Sequence, residues 1–169
     1  MTLIVSPLRD VETVVRFRRP SHLITLLDPH LIGDAPRFFP DRHLKLAVDD
    51  AWEEAHGKLL PSADHVDRIL DFGRTWDGAS PLLVHCWAGV SRSTATAFIL
   101  ACEHNPDVAE ADIAQALRKA SSSATPNPLL VRLADDMMSR KGRMVDAVAA
   151  IGQGVYSYPG APFELNIKT

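Results

Sequence analysis

The feature that most constrains this chain is residues 81–101, which read PLLVHCWAGVSRSTATAFILA. A short apolar run suited to a buried strand leads, through a loop at residues 87–92, into a helix that is apolar nearly all round. Such a helix belongs in the core, and Gly89 supplies a backbone conformation that other residues resist. A strand that turns this tightly into a buried helix aims several backbone N–H groups, and the positive end of the helix dipole, at one point. That point attracts an oxyanion. Cys86 stands at its mouth, where the same field favours thiolate over thiol.

Arg92 fits this cradle because its planar fork can donate two parallel hydrogen bonds to a phosphoryl group and offset charge as the leaving group departs. The Ser93 hydroxyl can donate to the sulfur and ease departure of thiolate. Trp87, Ala88, Gly89, Val90 and Ser91, with Arg92, are the residues expected to surround a bound phosphate or sulfate. Allowing about one in twenty for each of His, Cys, Gly, Arg and Ser at fixed offsets over ~160 starting points, chance yields the string on the order of once in twenty thousand sequences.

The remainder reads as support for that loop. At 169 residues and 46% hydrophobic content, the chain fits one domain, residues 1–169, with a tail from residue 152 onward that lacks regular pattern. Strands are expected at residues 3–5, 22–27, 44–48 and 82–85, bounded by Pro, Asp or Gly. Ser62 can cap a helix with Val66, Ile69, Leu70 and Trp76 on its buried side, ending near Gly78. Asp107 and Glu110 form a capping box ahead of Ile113, Ala116, Leu117 and Ala120. Asn127 before Pro128 opens another helix, whose stripe is Leu130, Leu133, Ala134 and Met137. The order of strand, helix, strands, helix, strand and then helices predicts an α/β (α+β) sandwich, a small mixed central sheet flanked by helices.

Net charge is -3, from 18 basic and 21 acidic residues spread along the chain, so no basic face for nucleic acid or anionic lipid is expected. No apolar run nears the ~18 residues needed to cross a bilayer, and no export signal is read at residues 1–6, so no membrane role and a cytoplasmic location are expected. Cys86 and Cys102 lie at neither disulfide-framework nor zinc-ligand spacing. Cys102 reads as core, and oxidation of Cys86 to a disulfide with another cysteine is the redox chemistry left open.

The string HCWAGVSRS at residues 85–93 resembles the phosphate-binding loop of the cysteine-dependent protein tyrosine phosphatases, with the pattern H-C-x5-R-[ST]. Its AG-x-SRS form resembles the dual-specificity branch. The similarity extends more faintly over residues 22–138, including Pro126 and Asn127. The resemblance implies Cys86 as nucleophile, Arg92 as phosphate clamp, Ser93 as the hydroxyl that helps thiolate leave, and His85 as a buried support. It implies no metal or other cofactor. A general acid is implied on a loop upstream, where residues 46–52 read LAVDDAW. Asp50 is the first choice and Asp49 the second, and one sequence does not separate them.

Plainer roles stand beside these. His85 is a packed core histidine rather than a base, Asn127 a helix cap, Ser91 a turn residue, and Trp87 a loop side chain. Arg37, Phe38 and Phe39 either border the cleft or serve as a core or surface anchor. The expected partner is a phosphotyrosine-containing protein or another phosphomonoester, with phosphoserine or phosphothreonine permitted by a shallow cleft. The uncharged side chains of residues 87–91 argue against multiply phosphorylated inositol lipids. Competing functions are a phosphopeptide-binding module without turnover and, further behind, arsenate reduction or sulfur transfer.

Overall fold

The structure, a computed structural model, describes residues 1–37 and 42–166. Strands β1 (Thr2–Pro7), β2 (His22–Leu27), β3 (His43–Ala47), β4 (Leu82–Cys86) and β5 (Phe163–Asn166) form one sheet in the order β3-β2-β4-β1-β5. The first four run parallel, and β5 pairs antiparallel with β1 at the edge. The helices are α1 (Val11–Arg18), α2 (Ala63–Arg74), α3 (Arg92–His104), α4 (Glu110–Ala120), α5 (Pro128–Met137) and α6 (Arg143–Ile151). Among the described residues no helix is long and apolar enough to cross a membrane.

Side chains alternate between the two faces of a strand. Ile4, Leu23 and Leu83 therefore pack on one side against Val11 and Val14 of α1. Leu3, Val5, Ile24, Leu26, Leu82 and Val84 join the larger core with α2 to α6. With both faces covered, β2 and β4 are apolar almost throughout, as parallel interior strands must be. Helix α3 is buried from Arg92 to Cys102. It can be so because Thr94 and Thr96 return their hydroxyl protons to carbonyls of Val90, Ser91 and Arg92. The expected mixed sheet flanked by helices is what forms.

Several local expectations are corrected. Glu110 does not complete a capping box with Asp107. The N-cap of α4 is Ala109, and the Glu110 carboxylate is buried between Arg140 and Arg143, at 3.0 Å from each. Two guanidiniums outweigh one backbone amide as partners for a buried carboxylate. Met137 is 39% exposed, and Val131 takes its place in the core. Helix α2 stops at Arg74, with Trp76 buried beyond its end and its Nε1 donating to the Ser80 carbonyl. Helix α6 was not singled out by pattern. Asp135 organises its start, accepting N–H bonds from Gly142, Met144 and Val145. The supposedly irregular tail contains β5, whose Leu165 is buried against the sheet.

Where β2 and β4 approach their C-terminal ends, the face that meets α1 turns polar. His85 Nδ1 lies 3.2 Å from the Cys86 carbonyl and its Nε2 lies 2.7 Å from Thr25 Oγ1. A carbonyl can only accept, so Nδ1 carries the proton, Nε2 accepts from Thr25, and Thr25 accepts in turn from His43 Nε2 at 2.7 Å. Burial, aided by the nearby His43 and Arg92, lowers the His85 pKa to about 4 from 6.5. Between those values the unfolded chain takes up a proton that the folded chain refuses, so stability falls as pH drops from 6.5 toward 4. At about 1.4 kcal/mol per unit the loss is about 3 kcal/mol. Urea unfolding at pH 6.5 and pH 4 is expected to show this extra loss in wild type relative to His85→Asn, whose amide does not titrate. Equal losses in both would place the sensitivity elsewhere.

Candidate active site

Strand β4 ends on Cys86 and α3 begins on Arg92, so the connecting loop lies at the C-terminal edge of the parallel strands. The loop is seated on β1. Gly89 has φ 71°, and a Cβ there would sit 2.6 Å from the Pro7 nitrogen and 2.9 Å from the Ser6 carbonyl carbon. No larger residue fits without moving backbone. Leu8 N–H adds a bond to the Trp87 carbonyl at 3.1 Å. This seating curls the loop around the sulfur, so that Gly89 N–H donates to Cys86 Sγ at 3.2 Å and Ser93 Oγ lies 3.1 Å away. The amides of Ala88, Val90 and Ser91 meet no acceptor among the described residues.

Cys86 is only 2% exposed, yet it lines a cavity of about 550 Å³ together with Ala88, Val90, Ser91 and Arg92. The Arg92 guanidinium is held by one end. Nη1 donates to Asp28 Oδ1 and to the Val48 carbonyl, each at 2.7 Å. Its Nε is buried with no partner among the described residues. Orphaned buried donors are rare, and here one belongs to a permanent cation on the wall of a cavity that also exposes a sulfur.

The two aspartates separate cleanly. Asp49 is buried and lies off the cavity, with Lys58 Nζ at 3.0 Å and Leu59 N–H at 2.7 Å. Burial pushes its carboxyl up, but the Leu59 amide and Lys58 outweigh this and hold it below the usual carboxylate range. Asp49 therefore staples the loop at residues 49–59. Asp50 lines the cavity. Its Oδ1 accepts from Ser91 Oγ at 2.7 Å and from Asn127 Nδ2 at 3.0 Å, and Oδ2 has no donor among the described residues. Asn127 caps α5 through its Oδ1, as expected, and also ties Asp50 and the Ala51 carbonyl to that helix.

The structure thus brings together Cys86, Ala88, Gly89, Val90, Ser91, Arg92, Ser93, Asp50 and Asn127. His85 sits beneath the loop as a neutral support. Trp87 points outward onto Tyr158. Arg37 is exposed and away from the cavity, and Phe38 and Phe39 lie outside the described residues. Cys102 is too far for a disulfide with Cys86. It lies about 13 Å along α3 from Ser93, which touches the sulfur, whereas a disulfide tolerates roughly 7 Å between Cα atoms. Burial also pushes its thiol up to about 12.

Sequence reasoning missed Asp28, Trp52, Lys58, Ser123, Thr125 and residues 153–158, all on the cavity wall. Asp28 follows β2 directly, and the rule that sites gather at the carboxyl ends of parallel strands could have flagged it. Lys58 and residues 153–158 lie in segments without periodicity, and only the folded chain places them.

No protein-family model and no curated protein sequence matches this chain. Solved structures do. DUSP15 superposes with a TM-score of 0.63 at 18% identity, covering 88% of this chain and 89% of its own. The human tyrosine phosphatase-like serine/threonine/tyrosine-interacting protein gives 0.63 at 19% identity, covering 82% and 92%. PTPMT1, solved in complex with PI(5)P, gives 0.61 at 14% identity, covering 82% and 94%. The chain has the fold of the cysteine-dependent tyrosine phosphatases, in the form shared by the dual-specificity enzymes.

Proposed function

We propose that this protein hydrolyses phosphate monoesters, with protein phosphotyrosine as the preferred class, through a phosphocysteine intermediate on Cys86. The observation that carries the reading is that Arg92, whose buried Nε has no partner among the described residues, lines the same cavity as Cys86 and the residues of the unpaired loop amides. These donors suit a tetrahedral dianion, and the sulfur suits attack on its phosphorus.

In the first step Cys86 thiolate forms the S–P bond while the P–O bond to the leaving group breaks, and Asp50 Oδ2 delivers its proton to the departing oxygen. Arg92 Nε and the amides stabilise the transferring phosphoryl group. In the second step Asp50 takes a proton from water as its oxygen attacks phosphorus. The S–P bond breaks, the Ser93 hydroxyl supports the returning thiolate, and inorganic phosphate leaves. Asp28 and Val48 act by positioning, since they hold Nη1 and so fix the face that Arg92 presents.

Turnover of an aryl phosphate is expected in wild type and absent in Cys86→Ser. A wild-type protein that binds a phosphopeptide without turning it over would instead support a binding module. Asp50→Asn is expected to lower kcat on a phosphotyrosyl peptide by about two to four orders of magnitude, and less on an aryl phosphate with a good leaving group, which needs no proton. A larger loss from Asp49→Asn would reverse the assignment. The pH–rate profile is expected to peak on the acid side of neutrality, because thiolate and carboxylic acid must coexist. A flat profile from about pH 5 to 8 would contradict that pairing.

A further inference from the structure

Both tyrosines of the chain and two of its three tryptophans are exposed at one place. Trp52, Tyr156 and Tyr158 line the cavity, and Trp87 stacks on Tyr158 with centroids 5.0 Å apart and planes at 22°. The third tryptophan, Trp76, is buried in the core. Exposed aromatic rings gathered at a cavity rim mark a binding surface, because each offers large apolar area at small conformational cost.

The segment that carries the tyrosines is fastened to the phosphate-binding loop and its neighbours. Gly160 N–H donates to the Ala88 carbonyl at 2.9 Å, Gly154 N–H to Thr125 Oγ1 at 3.1 Å, and Val155 N–H to the Ser122 carbonyl at 2.9 Å. Thr125 N–H in turn bonds the Val90 carbonyl at 2.9 Å. Gly154 is pressed so close that a Cβ would lie 2.6 Å from the Ser123 carbonyl carbon. Between these anchors the side chain of Tyr158 feels the site directly. Burial pushes its phenol up, Arg92 opposes this, and Cys86, Asp28 and Asp50 add to the rise. The phenol is therefore neutral at neutral pH.

We propose that residues 153–158 are a substrate-specificity element and that Tyr158 contacts the aromatic ring of a phosphotyrosyl substrate whose phosphate occupies the loop. The inference rests on the phosphatase reading and narrows it. A phosphoserine or phosphothreonine would have to bring its own backbone down between the aromatic walls to reach Cys86, whereas the ring of phosphotyrosine spans that depth and packs against them. A polyanionic inositol headgroup suits the rim less, since Lys58, the one lysine lining the cavity, is already paired with Asp49.

The test compares kcat/KM on phosphotyrosyl and phosphothreonyl peptides of otherwise identical sequence for wild type, Tyr158→Phe, Tyr158→Leu and Tyr158→Ala. Tyr158→Ala is expected to lose about three- to tenfold on the phosphotyrosyl peptide, mainly through KM, with the phosphothreonyl peptide unchanged. Tyr158→Phe should retain the wild-type preference, and Tyr158→Leu should fall between. Because Tyr158 is 62% exposed, all four proteins should share one melting temperature. Equal losses on both peptides, or none on phosphotyrosine, would overturn this inference while leaving Cys86-dependent turnover intact. Absence of that turnover in wild type would overturn the phosphatase reading and this inference together.

Discussion

The contact on which the rest of the site depends is the seating of Gly89 on the end of β1. Because nothing larger than hydrogen fits against the Pro7 nitrogen, the loop lies on the sheet edge and turns the Gly89 amide onto Cys86 Sγ. The buried helix α3 then starts at the right place to present Arg92 and Ser93. Strand β4, its neighbour β1 and the core helix α3 are thus joined at one glycine, so the loop around Cys86 is built by the hydrophobic core rather than added to its surface.

A second layer fixes what the cradle presents. The carboxylate of Asp28, beyond β2, and the carbonyl of Val48, beyond β3, bind the same nitrogen of Arg92 and leave another free. Asp50 is treated similarly, with both its protein donors on one oxygen. In each case one half of a bidentate group is satisfied by the protein and the other half has no partner among the described residues. The cost falls on Arg92, whose Nε is buried, whereas Asp50 is exposed and its second oxygen is open to solvent. Both groups line the cavity that holds Cys86, and this is the observation on which the proposed phosphatase reading rests.

Strands β1 to β4, the buried helix and the sulfur-to-arginine loop were legible in the sequence because each rests on local pattern: apolar runs, turn residues and fixed offsets. Asp50 could not be told from Asp49 until the chain folded, since neighbours in sequence point different ways. One meets Ser91 and Asn127, and the other meets Lys58 and Leu59. Glu110 misled because its partners, Arg140 and Arg143, lie far along the chain. The aromatic segment at residues 153–158 and strand β5 carry no periodicity, and their structure comes from contacts with Ala88, Ser122, Thr125 and β1.

The most direct measurement is a crystal structure with tungstate, a tetrahedral oxyanion, bound at saturating concentration. Its oxygens are expected on the amides of Ala88, Val90 and Ser91 and on Arg92 Nε, with the metal facing Cys86 Sγ. An empty loop, or an anion bound elsewhere while Arg92 Nε remains without a partner, would contradict the central claim.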